Sequence, residues 1–197
     1  MELVLASGNA GKLVELRDLL GGSGLTLRAQ SEFDVRDTEE TGTTFVENAL
    51  LKARHAARLT GRAALGDDSG LCVDALDGAP GLCSARYAGV HGDADRNIAR
   101  LLRELRDVAD DRRTARFYCV LVLLRSEDDP QPLIAEGEWH GRILQSPRGD
   151  RGFGYDPVFF DPENDCSAAE LDPVVKNAIS HRGRALAALK QRLPTLT

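Results

Sequence analysis

The sequence predicts an α/β fold, a mixed β-sheet flanked by helices, from three observations. The apolar run at residues 3–6 leads through a small polar turn into an amphipathic segment, a strand, turn and helix in succession. Helical spacing of apolar residues recurs in later stretches, and strand-like runs separate these stretches from one another. Residues 115–124 and 133–139 flank Asp128-Asp129-Pro130 and read as an antiparallel hairpin. Strand–helix–strand and hairpin signals in one chain make the expected sheet mixed.

In chain order, the first helix carries Leu13, Leu16, Leu19 and Leu20 and stops at Gly21-Gly22, and residues 25–29 follow as a short strand. Residues 31–44 are acidic and aperiodic, which makes them a loop. The second helix covers 45–59, with Phe45, Ala49, Ala53 and Ala56 on one face and Gly61 as its stop. Two strands, 63–67 and 71–75, are expected on either side of Ser69-Gly70. The glycine-rich stretch 78–92 is a connection, after which Asp93 caps a helix carrying Ile98, Leu101, Leu102, Leu105 and Val108. Beyond the hairpin come a glycine-rich loop at 147–154, a short strand at 157–160 and a final helix at 180–193. With 197 residues, no internal repeat and no low-complexity linker, the chain reads as a single domain, 1–197.

A net charge of -6 argues against a polyanion-binding surface, so nucleic acid is not an expected partner, while free nucleotides remain open. Cys72, Cys83, Cys119 and Cys166 form neither a CxxC pair nor a Cys/His spacing. Together with the lack of a secretory leader or a long apolar span, this gives the expectation of reduced thiols in a cytoplasm and no membrane. Arginine supplies 21 of the 25 basic residues, which makes the four lysines informative. Lys12 sits in the first turn, Lys52 on the second helix and Lys176 in a polar cluster near the end; Lys190 lies on a plain helix face. An ammonium is a compact charge that can approach one phosphate oxygen, where a guanidinium fork is larger and geometrically stricter.

The chemistry concentrates in a few stretches. Ser7-Gly8-Asn9-Ala10-Gly11-Lys12 places backbone N–H groups and an ammonium at a helix start, which suits a phosphate. It is not a Walker loop, because two residues rather than four separate its glycines and Leu13 follows the lysine. Glu39-Glu40 and Asp67-Asp68 bring four carboxylates to loop or strand-end positions, where Mg²⁺ could be held together with substrate phosphates. Asn48 and Lys52, four residues apart, share a helix face that the phosphate turn could meet. Lys176-Asn177 and Ser180-His181-Arg182-Gly183 cluster where the last helix begins. Positive groups there are unfavourable unless an anion compensates. Gly152-Phe153-Gly154-Tyr155-Asp156-Pro157 sets two aromatic rings among glycines, able to stack on a base or to tuck into a core. His55, His91 and His140 have no metal-ligand spacing, and no Ser/His/Asp nucleophile arrangement is legible.

Taken together, SGNAGK, EETGTTFVENALLKA, GDDSGLCVDAL with GAPGLCSARYAG, FGYDPVFF and KNAISHRG resemble the inosine triphosphate pyrophosphatase family, in family order from residue 7 to residue 183. The resemblance implies an elongated, twisted mixed sheet flanked by helices, with two lobes and a central nucleotide cleft. It also implies a homodimer, Mg²⁺ as cofactor, and cleavage of ITP, dITP or XTP to the monophosphate and pyrophosphate. By motif, Ser7, Gly8, Asn9, Ala10, Gly11 and Lys12 would hold the triphosphate, Glu40 and Asp68 the metal, and Asp68 would accept the proton of the attacking water. Lys52 and Ser69 would lie beside the phosphates. Phe153, Gly154, Tyr155, Asp156, Lys176, His181 and Arg182 would form the base and sugar side. Cys166 departs from the polar residue expected there. A related class acting on modified pyrimidines or 7-methyl-GTP shares the general architecture; the SHR and FGYD motifs favour the purine enzyme. Asp67 stays open as a second carboxylate that could share the proton.

Overall fold

The structure, a computed structural model, describes residues 2–22 and 24–193. Strand β1 (Glu2–Ala6) is apolar and fully buried at Leu3, Val4 and Leu5, as a strand covered on both faces must be. It pairs in parallel with β2 (Thr26–Ala29) on one side and with β3 (Ala64–Val73) on the other. Helix α1 (Ala10–Leu20) makes the first crossover and α2 (Phe45–Thr60) the second. In the β1–β3 register Ala6 faces Gly66, so the Ser7 turn leaves β1 at the level where Asp67 continues β3. The carboxyl end of a parallel strand, here that of β1, is where open α/β sheets place ligands.

Local chemistry fixes the helix starts. Asn9 caps α1 by accepting the Lys12 N–H at 3.1 Å. Thr44 and Glu47 form a capping box on α2, and Gly61 closes that helix in the left-handed conformation. Helix α3 (Ala94–Glu104) is capped by Asp93 as expected, and it ends before Leu105 and Val108. Strand β4 (Thr114–Leu124) neighbours β5 (Leu133–Ile143), and β6 (Phe159–Asp161) and β7 (Cys166–Ser167) follow in antiparallel pairing. Among the described residues the sheet order is β2-β1-β3-β4-β5-β6-β7, a mixed sheet in keeping with the expected α/β class.

Five expectations need correction. The two strands separated at Ser69-Gly70 are one continuous strand, β3, because Asp67 and Ser69 are held by side-chain partners inside the fold instead of opening a turn. The loop 31–44 begins with a 3₁₀ turn, Gln30–Phe33, and the connection 78–92 contains another, Gly81–Arg86. The short strand after Pro157 starts only at Phe159, since Asp156–Val158 forms a 3₁₀ turn. A further helix, α4 (Pro173–Ile179), precedes α5 (His181–Arg192); Asp172 caps it and Pro173 opens it, so Ser180 ends α4.

The chain forms two compact units. The first comprises residues up to 69, 119–137 and 181 onward, with a core that includes Leu3, Leu5, Leu16, Leu65, Leu121, Leu123 and Leu186. The second comprises 70–118 and 138–180, built on Leu71, Leu101, Leu105, Phe117, Trp139 and Phe159. In the second unit the Phe117 and Phe159 rings lie 4.5 Å apart between centroids, within the range of favourable aromatic pairing.

Two glycines set the close approaches that position functional side chains in the first unit. A Cβ at Gly66 would fall 2.1 Å from the Ala49 carbonyl oxygen, so β3 and α2 touch backbone to backbone there. A Cβ at Gly137 would fall 2.1 Å from the His181 carbonyl oxygen and 2.5 Å from the Ala185 nitrogen. Gly137→Ala is therefore expected to push the start of α5 off β5 and to lower stability by about 1–3 kcal/mol, measured by urea denaturation. An unchanged unfolding midpoint would refute the close-packing argument.

Candidate active site

The amino end of α1 offers an exposed turn. Gly8, Asn9 and Ala10 are solvent-facing, and the first-turn N–H groups point out of the helix as anion-binding termini do. Ser7 Oγ accepts the Asn9 N–H at 3.2 Å, which shapes the turn. Lys12 does not extend into water: its Nζ lies 2.6 Å from Asp67 Oδ1 and donates to the Asp67 carbonyl at 3.4 Å.

A second ammonium stands close by. Lys52 Nζ meets Glu40 Oε1 at 2.5 Å and Asp68 Oδ1 at 2.6 Å, and donates to the Asp67 carbonyl at 3.4 Å. Glu40 reaches this point because its loop is anchored; the Gly42 N–H donates to Oδ1 of the buried Asn48 at 2.9 Å. Burial pushes the Asp68 carboxyl above its ordinary pKa, and Lys52 offsets only part of that rise. Burial pulls the Lys52 ammonium down, yet Asp68 and Glu40 outweigh it, so its pKa stands above the usual lysine value. A carboxylate with a raised pKa beside a firmly charged ammonium suits proton transfer next to an anionic substrate.

Asp67 is different from its neighbour. Successive strand residues point to opposite faces, and Asp67 turns inward, with no solvent exposure. Its Oδ2 accepts from Arg182 Nε at 2.7 Å and its Oδ1 from Ser69 Oγ at 3.2 Å. Burial would raise its pKa, but the Arg182 guanidinium and the Lys12 ammonium hold it far below the usual carboxylate range. Both oxygens of this buried carboxylate are thus engaged by the protein's own donors, whereas Asp68 meets Lys52 and Glu40.

Arg182 is 1 % exposed, and this number decides its surroundings. Besides Asp67, its NH1 donates to Glu15 Oε2 at 2.5 Å and its NH2 to Ser69 Oγ at 2.9 Å. The anion that compensates positive charge at the start of α5 is therefore supplied by the protein itself. His181, beside it, is also buried.

In the second unit, the glycine-rich turn is tied by Asp156, whose Oδ2 accepts the Phe153 N–H at 2.8 Å and Lys176 Nζ at 2.6 Å. Lys176 Nζ also stands 5.2 Å from the centre of the Phe153 ring. The exposed-ring expectation fails for Tyr155. Its ring belongs to the core, with its hydroxyl donating to the Ser84 carbonyl at 2.9 Å, so Tyr155 presents backbone to the turn. Phe153 is only half-buried and keeps the stacking option.

The family model described as the Ham1 family matches residues 3–192. The chain belongs to the Ham1 family. It is 61 % identical over 196 residues to a dITP/XTP pyrophosphatase of Xanthomonas axonopodis pv. citri, covering 100 % of this chain and 98 % of that one. It is 56 % identical over 185 residues to a dITP/XTP pyrophosphatase of Vibrio cholerae, covering 94 % and 92 %. Among solved structures, a HAM1 protein from Coxiella burnetii superposes with a TM-score of 0.90 at 51 % identity, over 99 % of each chain. These findings agree with the family resemblance carried by the motifs.

In this Ham1 protein the predicted residues thus form two groups. Ser7 to Lys12, Glu40, Lys52, Asp68, Ser69, His181 and Arg182 belong to the first unit, and Phe153 to Asp156 with Lys176 belong to the second. Sequence reasoning missed Glu15, although it sits three residues after Lys12 on α1 and one helical turn is enough to suggest a shared face. It also missed Asp37, which receives a hydrogen bond from Gln30 and lies against Gly8; its aperiodic loop carried no signal.

Proposed function

We propose that this chain hydrolyses the non-canonical purine nucleoside triphosphates ITP, dITP and XTP to the nucleoside monophosphate and pyrophosphate. The observation that carries this reading is the meeting of Glu40 and Asp68 at Lys52, beside the Ser7 to Lys12 turn, in a Ham1 chain whose near relatives are named dITP/XTP pyrophosphatases. The products require cleavage between the α- and β-phosphorus atoms. Asp68 would accept a proton from the attacking water, Lys12 and the backbone N–H groups of the turn would receive the triphosphate, and Lys52 would neutralise the leaving pyrophosphate. Phe153 to Asp156 and Lys176 would serve the base and sugar, with the Phe153 ring stacking and the turn backbone approaching closely.

Mg²⁺ fits the donor set. Among the described residues no group of three or more His, Cys, Asp or Glu is placed to hold a metal, but Glu40 and Asp68 supply the one or two carboxylates this ion takes when phosphates and water complete its shell. Glu40 and Asp68 would hold it, and bound there it would supply Lewis-acid neutralisation of the triphosphate. Removal of divalent ions by EDTA is expected to abolish pyrophosphate release and added Mg²⁺ to restore it; release that persists in EDTA would overturn the metal assignment.

The direct test is pyrophosphate release from a panel of ITP, dITP, XTP, ATP, GTP, dUTP and 7-methyl-GTP. Turnover of the first three well above the rest is expected. Preference for dUTP or 7-methyl-GTP would transfer the chain to the related class, and binding without release would make it a nucleotide sensor. We further assign it to the cytoplasm, which its four free cysteines support, and to a homodimer, which the family resemblance supports. No described helix is long and apolar enough to cross a membrane. Light scattering giving the mass of one chain at micromolar concentration would refute the dimer.

A further inference from the structure

We propose that Asp67 is the positioning residue for Lys12, fixing its ammonium where the triphosphate is received; the proposal rests on the nucleotide reading above. A lysine side chain carries about 2 kcal/mol of rotamer entropy, and Lys12 stands in the first turn of α1, where the helix dipole repels a cation. Left to itself, such a side chain would extend into water. Asp67 draws it back twice, through Oδ1 at 2.6 Å and through its carbonyl oxygen at 3.4 Å.

The anchor is itself immobile. Arg182 grips the other carboxylate oxygen from α5, Ser69 adds a hydrogen bond, and the side chain has no contact with solvent. Arg182 in turn has Glu15 as a second counterion, so its place does not depend on Asp67 alone. Lys12, Arg182, Glu15 and Asp67 sum to zero charge, which lets Asp67 and Arg182 be buried at its centre without an excess ion. The adjacent acids of β3 therefore divide the work: Asp68 faces Lys52 and the reacting groups, and Asp67 sets the lysine on the other side.

The test measures pyrophosphate release from ITP with Mg²⁺ for wild type, Asp67→Asn, Lys12→Met and the double variant. Asp67→Asn keeps the volume and removes the charge. It is expected to raise KM about tenfold with kcat reduced by less than about threefold, the signature of lost substrate binding rather than lost chemistry. The double variant is expected to match Lys12→Met to within about twofold, because residues that act as a unit are not additive. Should Asp67→Asn fail to fold, Asp67→Glu, which keeps the charge and moves the carboxylate by one methylene, takes its place: a raised KM with kcat little changed supports the proposal, and an unchanged KM overturns it. A folded Asp67→Asn protein with unchanged KM would overturn the positioning role, as would a double variant whose losses multiply. A wild type inert on every nucleotide would instead overturn the nucleotide reading, and the positioning role with it.

Discussion

Asp68→Asn is expected to remove turnover of ITP by a factor of about a thousand or more, close to 4 kcal/mol of barrier, while the fold survives. The substitution keeps the shape of the side chain and deletes both a metal-binding charge and the proton acceptor. Stability should change little, because Asp68 faces Lys52 and that lysine keeps Glu40 as a second carboxylate partner at 2.5 Å. Steady-state kinetics at saturating Mg²⁺ and a thermal melt together check it. More than about a tenth of wild-type kcat would remove Asp68 from the chemistry. The contrast with Asp67→Asn is informative, since two adjacent carboxylates are expected to fail in different parameters, kcat for one and KM for the other.

That contrast also marks where sequence reasoning succeeds and where it stops. Regular elements were legible because their signals are local. Apolar spacing placed α1, Asp93 announced α3, and Gly61 closed α2. The adjacent acids Asp67-Asp68 were legible as a site, but not their separate roles, because alternation along β3 sends one inward and the other to Lys52 only once the residues form a strand. The break expected at Ser69-Gly70 followed from turn propensity; side-chain bonds from Arg182 to Ser69 and Asp67, across more than a hundred residues of sequence, override it. Helix α4 was missed because seven residues starting with proline show little periodicity, although Asp172-Pro173 is an ordinary helix opening. Tyr155 and Phe153 look alike as aromatics among glycines, and only packing distinguishes a core ring from one available to a ligand.

Arg182→Ala is expected to cost about 3–5 kcal/mol of stability, the largest stability loss of any substitution considered, because it strands the fully buried carboxylate of Asp67 and takes the same counterion from the half-buried Glu15. Lys12 would still face Asp67, but an ammonium on one oxygen cannot replace the guanidinium on the other. Arg182→Lys should recover only part of the loss, since a point charge cannot span Asp67, Glu15 and Ser69 as the fork does. The pH dependence carries a definite sign. In the wild type the folded Asp67 pKa is depressed, so its ion pairs contribute fully above the unfolded value near 3.8 and are lost only as pH falls through the folded value. Without Arg182 the burial that raises the pKa is less opposed, and a protonated, neutral Asp67 becomes easier to bury. The deficit of Arg182→Ala relative to wild type should therefore be greatest near neutral pH and shrink as the pH is taken below about 4. Urea denaturation of both proteins across that range measures it. A deficit that stays constant or grows toward acid would mean that Arg182 stabilises the fold through packing rather than through its charge.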